Sequence, residues 1–233
     1  MELDLHFKYY EGFKYHGPMN KNYILVYDFE TSSADPETTQ PLSLAALAID
    51  PRTLQIEPNR FETLIRPTEP EKVEPGALRV NKLTMEELTK PVEDGGPPSV
   101  DVAWKSFVNY VGQFSSGSSI WGKPVAAGHN ILNFDDIITD RMNEKFNAGK
   151  RVFHPRDSID TIKLLFLWTE NNPAVEKLGM DYLRDYLGLD AEGAHTAKKD
   201  IDDCAKIIIR FLRLHRKIAE KFELAGSFTN WEV

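Results

Sequence analysis

Apolar runs bounded by polar turns divide the first third of the chain into three predicted strands. The β-branched and aromatic run 23–27 predicts a central strand that ends at Asp28 and Glu30. Strands are also predicted over 42–49 and around 61–65, with short connections between them. Strands that follow one another so closely indicate an antiparallel meander.

The pattern then changes to alternating strands and helices. Prolines and glycines dominate residues 67–98, where one short helix is predicted at 84–88, and an amphipathic helix follows over 100–114. The remaining predicted elements are a strand over 124–128, a helix beginning near Asn133, a short strand near 151–153, helices over 159–168 and 180–187, a loop over 190–194, and a long final helix that runs to about Phe222.

Three strands followed by helix-strand-helix units predict an α/β fold with a mixed five-stranded sheet and helices on its faces. A length of 233 residues suits one domain. We therefore expect a single domain over 21–222, between an N-terminal extension over 1–20 and a C-terminal tail over 223–233. In such sheets, functional sites gather at the carboxyl ends of strands, where Asp28 and Glu30 are expected.

The net charge of −8 argues against binding of nucleic acid through a broad basic surface, which needs many lysine and arginine contacts to phosphate. Divalent cations on clustered carboxylates would still hold a phosphate locally. No apolar run approaches the roughly 20 residues that a membrane-spanning helix needs, so no membrane association is expected. With no secretory signal pattern and one cysteine, Cys204, we expect a cytoplasmic protein.

Asp28 and Glu30 are the first candidate site residues. Alternation along a strand puts both carboxylates on one face and turns Phe29 toward the core. Neighbouring carboxylates are stable when a cation lies between them, and a set of oxygen ligands suits Mg²⁺ or Mn²⁺. The alternative is a pair of solvated acids at the end of a strand.

A second pair of acids, Asp135 and Asp136, lies at a strand-to-helix junction. Asn133 could cap the helix and place both acids in its first turn, where compensation of the helix dipole is an alternative role. If Phe134 packs inward, Asp135 reaches across toward Asp28.

His195 lies in a glycine-containing loop, and Asp200 follows five residues later in the first turns of the last helix. An imidazole, whose ordinary pKa is about 6.5, can take a proton from water at neutral pH, and Asp200 could hold a metal. The alternative is an exposed loop histidine beside an ordinary acid at a helix start.

Together these segments resemble the DEDDh branch of the 3′-to-5′ exonuclease superfamily over residues 23–214. The matching motifs are Asp28-Phe29-Glu30-Thr31, then His129-Asn130 with Phe134-Asp135, then His195 with Asp200. The second motif has one more residue between its asparagine and phenylalanine than the commonest form, a spacing more like that of exonuclease I. Asp135 is therefore the expected ligand, and Asp136 is its rival.

The resemblance implies a ribonuclease H-like fold and a hydrolase that uses two Mg²⁺ or Mn²⁺ ions. It would release nucleoside 5′-monophosphates from the 3′ end of a single strand, with DNA slightly favoured over RNA. A polymerase or another replication or repair protein is a candidate partner. The implied metal ligands are Asp28, Glu30, Asp135 and Asp200, with His195 as general base and Thr31 and Asn130 as substrate contacts.

Besides the spacing of the second motif, one stretch departs from the family pattern. Lys198 and Lys199 stand where the family usually has small or apolar residues, and we interpret them as solvated charges in preference to phosphate contacts. Asp160 is expected to cap a helix and not to bind metal. The competing function is a nuclease-fold module without activity that binds nucleic acid or serves as a scaffold, and the intact set of four acids and a histidine argues against it.

Overall fold

The computed structural model describes residues 20–170 and 175–219. Its elements are the strands β1 (Ile24–Thr31), β2 (Pro41–Ile49), β3 (Phe61–Leu64), β4 (Val125–Gly128) and β5 (Ser158–Asp160), and the helices α1 (Pro75–Asn81), α2 (Met85–Thr89), α3 (Val100–Gly112), α4 (Asp135–Phe146), α5 (Thr161–Thr169), α6 (Met180–Tyr186) and α7 (Ala197–Ala219). The predicted N-terminal extension except residue 20, the C-terminal tail and the predicted end of the last helix at Phe222 lie outside the described residues.

The five strands form one mixed sheet in the order β3-β2-β1-β4-β5. The first three strands pair antiparallel, so the predicted meander is confirmed. β4 and β5 run parallel to β1, each reached through intervening helices. The predicted α/β fold with a mixed five-stranded sheet is therefore confirmed, and it is the ribonuclease H-like arrangement.

Alternation along β1 divides its side chains between two cores. Leu25, Tyr27 and Phe29 pack against α3 in one apolar cluster. Ile24 and Val26 pack against α7 in the other. Because side chains two residues apart share a face, the carboxylates that follow Val26 in β1 lie on the side of the sheet that α7 covers.

One predicted strand was wrong. Residues 151–153 form no strand, and the edge strand β5 begins at Ser158. Val152 and Phe153 lie in a loop with their side chains buried, and Phe153 stacks on Tyr27 with a centroid distance of 4.9 Å. Two adjacent apolar residues in the sequence resembled a short strand. Strand β5 itself has only three residues and too little apolar alternation to be recognised.

Helix boundaries differ from the predictions in two places. Helix α1 was not predicted, because its first turn contains Pro75, and proline at that position starts a helix as readily as it breaks one. Asn133 does not cap α4: it ends a short 3₁₀ turn, and α4 begins at Asp135 without a side-chain cap. The expected cap at Asp160 is confirmed, since its carboxylate accepts from the Ile162 N–H at 2.9 Å.

No helix within the described residues is long and apolar enough to cross a membrane.

Candidate active site

Three acids from distant parts of the sequence converge beside the carboxyl end of β1. Asp28 and Glu30 project from β1 toward α7, and Asp200 lies in the first turn of α7. One carboxylate oxygen from each of the three residues lies within 4.8 Å of the others. The structure thus brings together the first and third sequence motifs.

Asp135 approaches this cluster from the other side of β1. It is buried in the first turn of α4, and its Oδ1 accepts a hydrogen bond from the Phe29 N–H at 3.0 Å. Its charge is close enough to raise the pKa of Asp28. Asp135 therefore reaches toward Asp28 as expected, although it is not one of the three acids within 4.8 Å.

Asp136, the rival of Asp135, points elsewhere. Its Oδ1 accepts the hydroxyl hydrogen of Tyr27 at 2.6 Å, and Thr139 donates to the same tyrosine oxygen at 3.2 Å. Tyr27 lies on the face of β1 opposite to Asp28, so Asp136 belongs to a polar network within the other core. The geometry favours Asp135 as the acid of the second motif.

The surroundings of the acids in the site disfavour their ionisation and raise their pKa values. Burial, followed by the charges of Asp135 and Glu30, raises the pKa of Asp28 well above its ordinary value. Burial and the charge of Asp200 raise the pKa of Glu30 to about 7. Burial also raises the pKa of Asp135 to about 8, even though it accepts the Phe29 N–H.

Buried like charges of this kind are stable as carboxylates when a cation neutralises them. The donors are all carboxylate oxygens, which suit Mg²⁺ or Mn²⁺ better than zinc. A cavity of about 60 Å³ adjoins Asp28 and Asp200, with His129 and Met180 also in its wall. This is ample room for a water molecule or an ion. The residues present therefore fit a divalent cation.

His195 lies beside the cluster on an exposed loop. Its backbone is left-handed, with φ of 60°, a conformation that histidine tolerates better than most residues. Its side chain is 42% exposed, and Nε2 lies 3.4 Å from Asp181 Oδ1. Burial raises the pKa of Asp200, and the charge of His195 partly opposes that rise, so the imidazole lies within electrostatic reach of this carboxylate. Lys82 donates to the Ala194 carbonyl at 2.5 Å and so ties this loop to the end of α1.

The two expected substrate contacts have local partners. Thr31 is buried, and its hydroxyl donates to the Ser33 carbonyl at 2.9 Å. Asn130 is left-handed, with φ of 62°, and its N–H donates to Asp160 Oδ1 at 3.1 Å. Thr31 is the last residue of β1, and Asn130 follows the end of β4. Their contact with substrate stays a prediction.

An ion-pair network behind the acids was not predicted from the sequence. Arg184 of α6 is only 2% exposed and contacts Asp181, Asp200 and Asp203. The spacing of Asp181 and Arg184, three apart on a helix, is a sequence signal that would have indicated only a local pair. The contacts between α6 and α7 had no sequence signal, because they depend on how the two helices pack.

The interpretation of Lys199 as a solvated charge was wrong. Its side chain is 15% exposed and its Nζ lies 2.6 Å from Asp203 Oδ2, because one helical turn separates the two residues. Lys198 faces solvent, with an ion pair to Glu62 at 3.4 Å. The two adjacent lysines therefore differ: one supports the network beneath the site and the other is a surface charge.

Comparison with known proteins agrees with the motifs. The exonuclease family model matches residues 25–94, which include Asp28 and Glu30. The resemblance to the exonuclease superfamily is thereby confirmed. The match ends before Asp135, His195 and Asp200, so the place of those residues in the exonuclease pattern stays a prediction. A search of curated protein sequences finds no match.

Several solved nucleases share the fold. Cell-death related nuclease 4 is 16% identical with a TM-score of 0.64, and the alignment covers 83% of this chain and 64% of that one. Exonuclease I of E. coli, in complex with a dT13 oligonucleotide, is 15% identical with a TM-score of 0.66, covering 85% of this chain and 43% of that one. Exonuclease I of Methylocaldum szegediense is 19% identical with a TM-score of 0.62, covering 84% and 41%.

These nucleases are longer than the aligned region. The chain spans less than two thirds of cell-death related nuclease 4 and under half of exonuclease I. At such low identities the likeness establishes the fold. The activity of this chain must therefore be argued from its own site.

Proposed function

We propose that this protein is a metal-dependent 3′-to-5′ exonuclease that removes nucleoside 5′-monophosphates from single-stranded ends, with DNA slightly favoured over RNA. The observation that carries the proposal is the convergence of Asp28, Glu30 and Asp200 within 4.8 Å, in a fold shared with exonucleases. Their crowding leaves a local excess of negative charge that divalent cations would balance. A phosphate could then approach an acidic protein at this one point.

Each acid has a separate place in the proposed chemistry. Asp28, Glu30 and Asp200 would hold one Mg²⁺, and Asp28 would share a second with Asp135, which would act largely through water. Such ions, when bound, activate water and stabilise the leaving oxygen of a phosphodiester. The buried hydrogen bond that the Phe29 N–H donates would keep the Asp135 carboxylate oriented toward β1.

His195 would accept the proton of the attacking water. As the new P–O bond forms, the bond to the 3′ oxygen of the preceding nucleotide breaks, and that oxygen takes a proton from solvent. The terminal nucleotide leaves with its 5′ phosphate. The exposed loop gives His195 access to water, and Asp181, whose Oδ1 lies 3.4 Å from Nε2, would stabilise the imidazolium cation that forms.

Single-stranded DNA is the preferred substrate in this proposal. The complex of E. coli exonuclease I with dT13 supports that choice by analogy of fold. Thr31 and Asn130, next to the acids, would contact the terminal nucleotide. The complex of exonuclease I with the C-terminus of a single-strand-binding protein supports a replication or repair protein as partner, and a polymerase is a further candidate.

The test is degradation of 5′-labelled single-stranded DNA and RNA of equal sequence, with Mg²⁺ and with chelator. We expect a ladder that shortens from the 3′ end, requires Mg²⁺ or Mn²⁺, and is faster for DNA. Asp28→Asn should abolish it, whereas Asp202→Asn, at an acid of α7 paired with Arg60, should not. If the folded protein binds the single-stranded DNA and RNA but leaves both intact with Mg²⁺ and with Mn²⁺, the chain is a nucleic-acid-binding module and the proposal fails.

A further inference from the structure

The buried guanidinium of Arg184 is the largest charged group behind the acids. Its Nε lies 2.8 Å from Asp203 Oδ2, and its Nη1 lies 2.8 Å from Asp181 Oδ1. Its Nη2 contacts Asp200 Oδ1. Three nitrogens of one planar group thus engage three separate carboxylates. Burial of a guanidinium is costly unless its donors are paired in this way.

Neutralisation of Asp203 does not by itself require Arg184. Asp203 is fully buried, but Lys199 lies 2.6 Å from its Oδ2 and Lys206 lies 3.3 Å from its Oδ1. Two other cations therefore already compensate this carboxylate. Asp200, a member of the acid cluster, accepts the His195 backbone N–H, and within the described residues its ion pair is with Arg184.

The same guanidinium also reaches the proposed base through one intermediate. Asp181 Oδ1 lies 2.8 Å from Arg184 Nη1 and 3.4 Å from His195 Nε2. Arg184 is thus one contact from Asp200 and two contacts from His195. Its own position is fixed by Asp203 on α7 and by its burial in α6.

We propose that Arg184 is a positioning residue for the metal site, an inference that rests on the proposed function. By occupying Asp200 Oδ1, the guanidinium fixes the rotamer of that carboxylate and leaves Oδ2 for an ion shared with Asp28 and Glu30. Through Asp181 it also restricts where the His195 imidazole can lie. A lysine has no planar fork, so it cannot hold three carboxylates in these directions at once.

Geometry and charge make opposite predictions for this residue. If Arg184 acted only as a positive charge, Arg184→Lys would preserve its effect and Arg184→Met would strengthen the attraction of a cation to the acids. If it acts by orientation, both variants weaken metal binding. Groups that orient metal ligands typically contribute about 10- to 100-fold to metal affinity or activity.

The experiment measures Mn²⁺ affinity by electron paramagnetic resonance for the full chain and for Arg184→Lys, Arg184→Met and Asp203→Asn. Arg210→Lys is the matched control, since Arg210 also joins α7 to the end of α6 but binds a backbone carbonyl, that of Leu187, at 3.0 Å. We expect a loss of at least about 10-fold in Mn²⁺ affinity for both Arg184 variants and a change below about 2-fold for the control. Circular dichroism confirms that each variant is folded.

Steady-state kinetics on a trinucleotide supply a second measurement. We expect Arg184→Lys to lower kcat while KM for the trinucleotide stays within about 2-fold, because the residue is buried and out of reach of a substrate at the surface. If Arg184→Met does not fold, the Lys variant and Asp203→Asn, which removes the anchor of Nε, decide the question. Unchanged or tighter Mn²⁺ binding by folded Arg184→Lys would overturn the inference.

The outcomes separate this inference from the proposed function. Arg184-dependent Mn²⁺ binding in a parent protein that degrades no nucleic acid would refute the exonuclease proposal and keep the positioning role. Nuclease activity whose metal affinity is indifferent to Arg184→Lys would do the reverse.

Discussion

Asp200 and Asp203 lie three residues apart on α7 and have opposite electrostatic surroundings. Asp200 faces Asp28 and Glu30, and burial raises its pKa despite the contact with Arg184. Asp203 is fully buried among Arg184, Lys199 and Lys206, whose contacts lower its pKa. In the part of the chain that the structure describes, Asp200 lies among other acids with one ion-pair partner, whereas Asp203 has three.

This difference distinguishes the acid of α7 that would bind a metal ion from the acid that stabilises the packing of the helix. A buried acid with three cationic neighbours is already satisfied, so it stabilises the packing of α6 on α7. In a cluster of acids with too few cationic neighbours, the carboxylates repel one another, and a bound divalent ion relieves that repulsion. Arg184 touches both, and it is the link between the support and the site.

The largest effect that would test this contrast is expected for Asp28→Asn. Loss of a shared metal ligand removes several kcal/mol of transition-state stabilisation, so we expect activity to fall by roughly 10³-fold or more. The same change removes one of several crowded charges and should raise the melting temperature in chelator. Single-strand degradation and thermal unfolding, measured on one preparation, test both signs. A fall in both quantities would indicate a structural acid.

For Asp203→Asn we expect a loss of folding stability, because removal of one partner from a buried network leaves the other charges uncompensated. The expected cost is about 3 kcal/mol in the free energy of unfolding. The control is Asp202→Asn, the adjacent residue, whose ion pair with Arg60 is at the surface and should contribute less than about 1 kcal/mol. Urea denaturation measures both, and equal costs would remove the distinction between the supporting network and the surface.

Asp135 and Asp136 offer a comparison between adjacent acids. Asp135→Asn should lower Mn²⁺ affinity and activity by roughly 10- to 100-fold, as for a group that supports the metal through water. Asp136→Asn should change activity little and should cost about 1 kcal/mol of stability through the Tyr27 hydrogen bond. Parallel measurements on the two variants would contradict the assignment if the larger loss of activity belonged to Asp136.

The smallest predicted effect is on the pH dependence of stability. Glu30 has a pKa of about 7 in the folded protein against an ordinary value of 4.5, so the folded state binds more protons than the unfolded state between these values. Stability contributed by the protonated carboxyl is therefore lost as pH rises from about 4.5 through about 7. In chelator, the melting temperature of the parent should fall relative to that of Glu30→Gln over this range, and Mg²⁺ should reduce the fall. A parent that gains stability over Glu30→Gln with rising pH would contradict the shift.

Much of the fold and the centre of the site could be predicted because their signals are local. The apolar run of β1 ends in two acids on one face, and alternation alone places Asp28 and Glu30 together. The long apolar stripe of α7 marks a helix that must cover the sheet, and Asp200 lies at its start. The spacing of the three motifs then orders these elements along the chain.

The parts that could not be predicted depend on contacts between distant residues or on weak local signals. Arg184 and Asp203 are ordinary helix charges in the sequence, and only the packing of α6 against α7 makes them partners. Asp135 and Asp136 are chemically equal, and the turn before α4 decides which one meets β1. Strand β5 is defined by its pairing with β4 and has almost no pattern of its own.

The most direct test of the central claim is anomalous diffraction from crystals of the protein soaked in Mn²⁺ with a nucleoside 5′-monophosphate. The account predicts two manganese peaks among Asp28, Glu30, Asp135 and Asp200, with one of them touching Asp200 through the oxygen that Arg184 leaves free. Full occupancy of the nucleotide with no manganese at these acids, or manganese bound elsewhere, would contradict it.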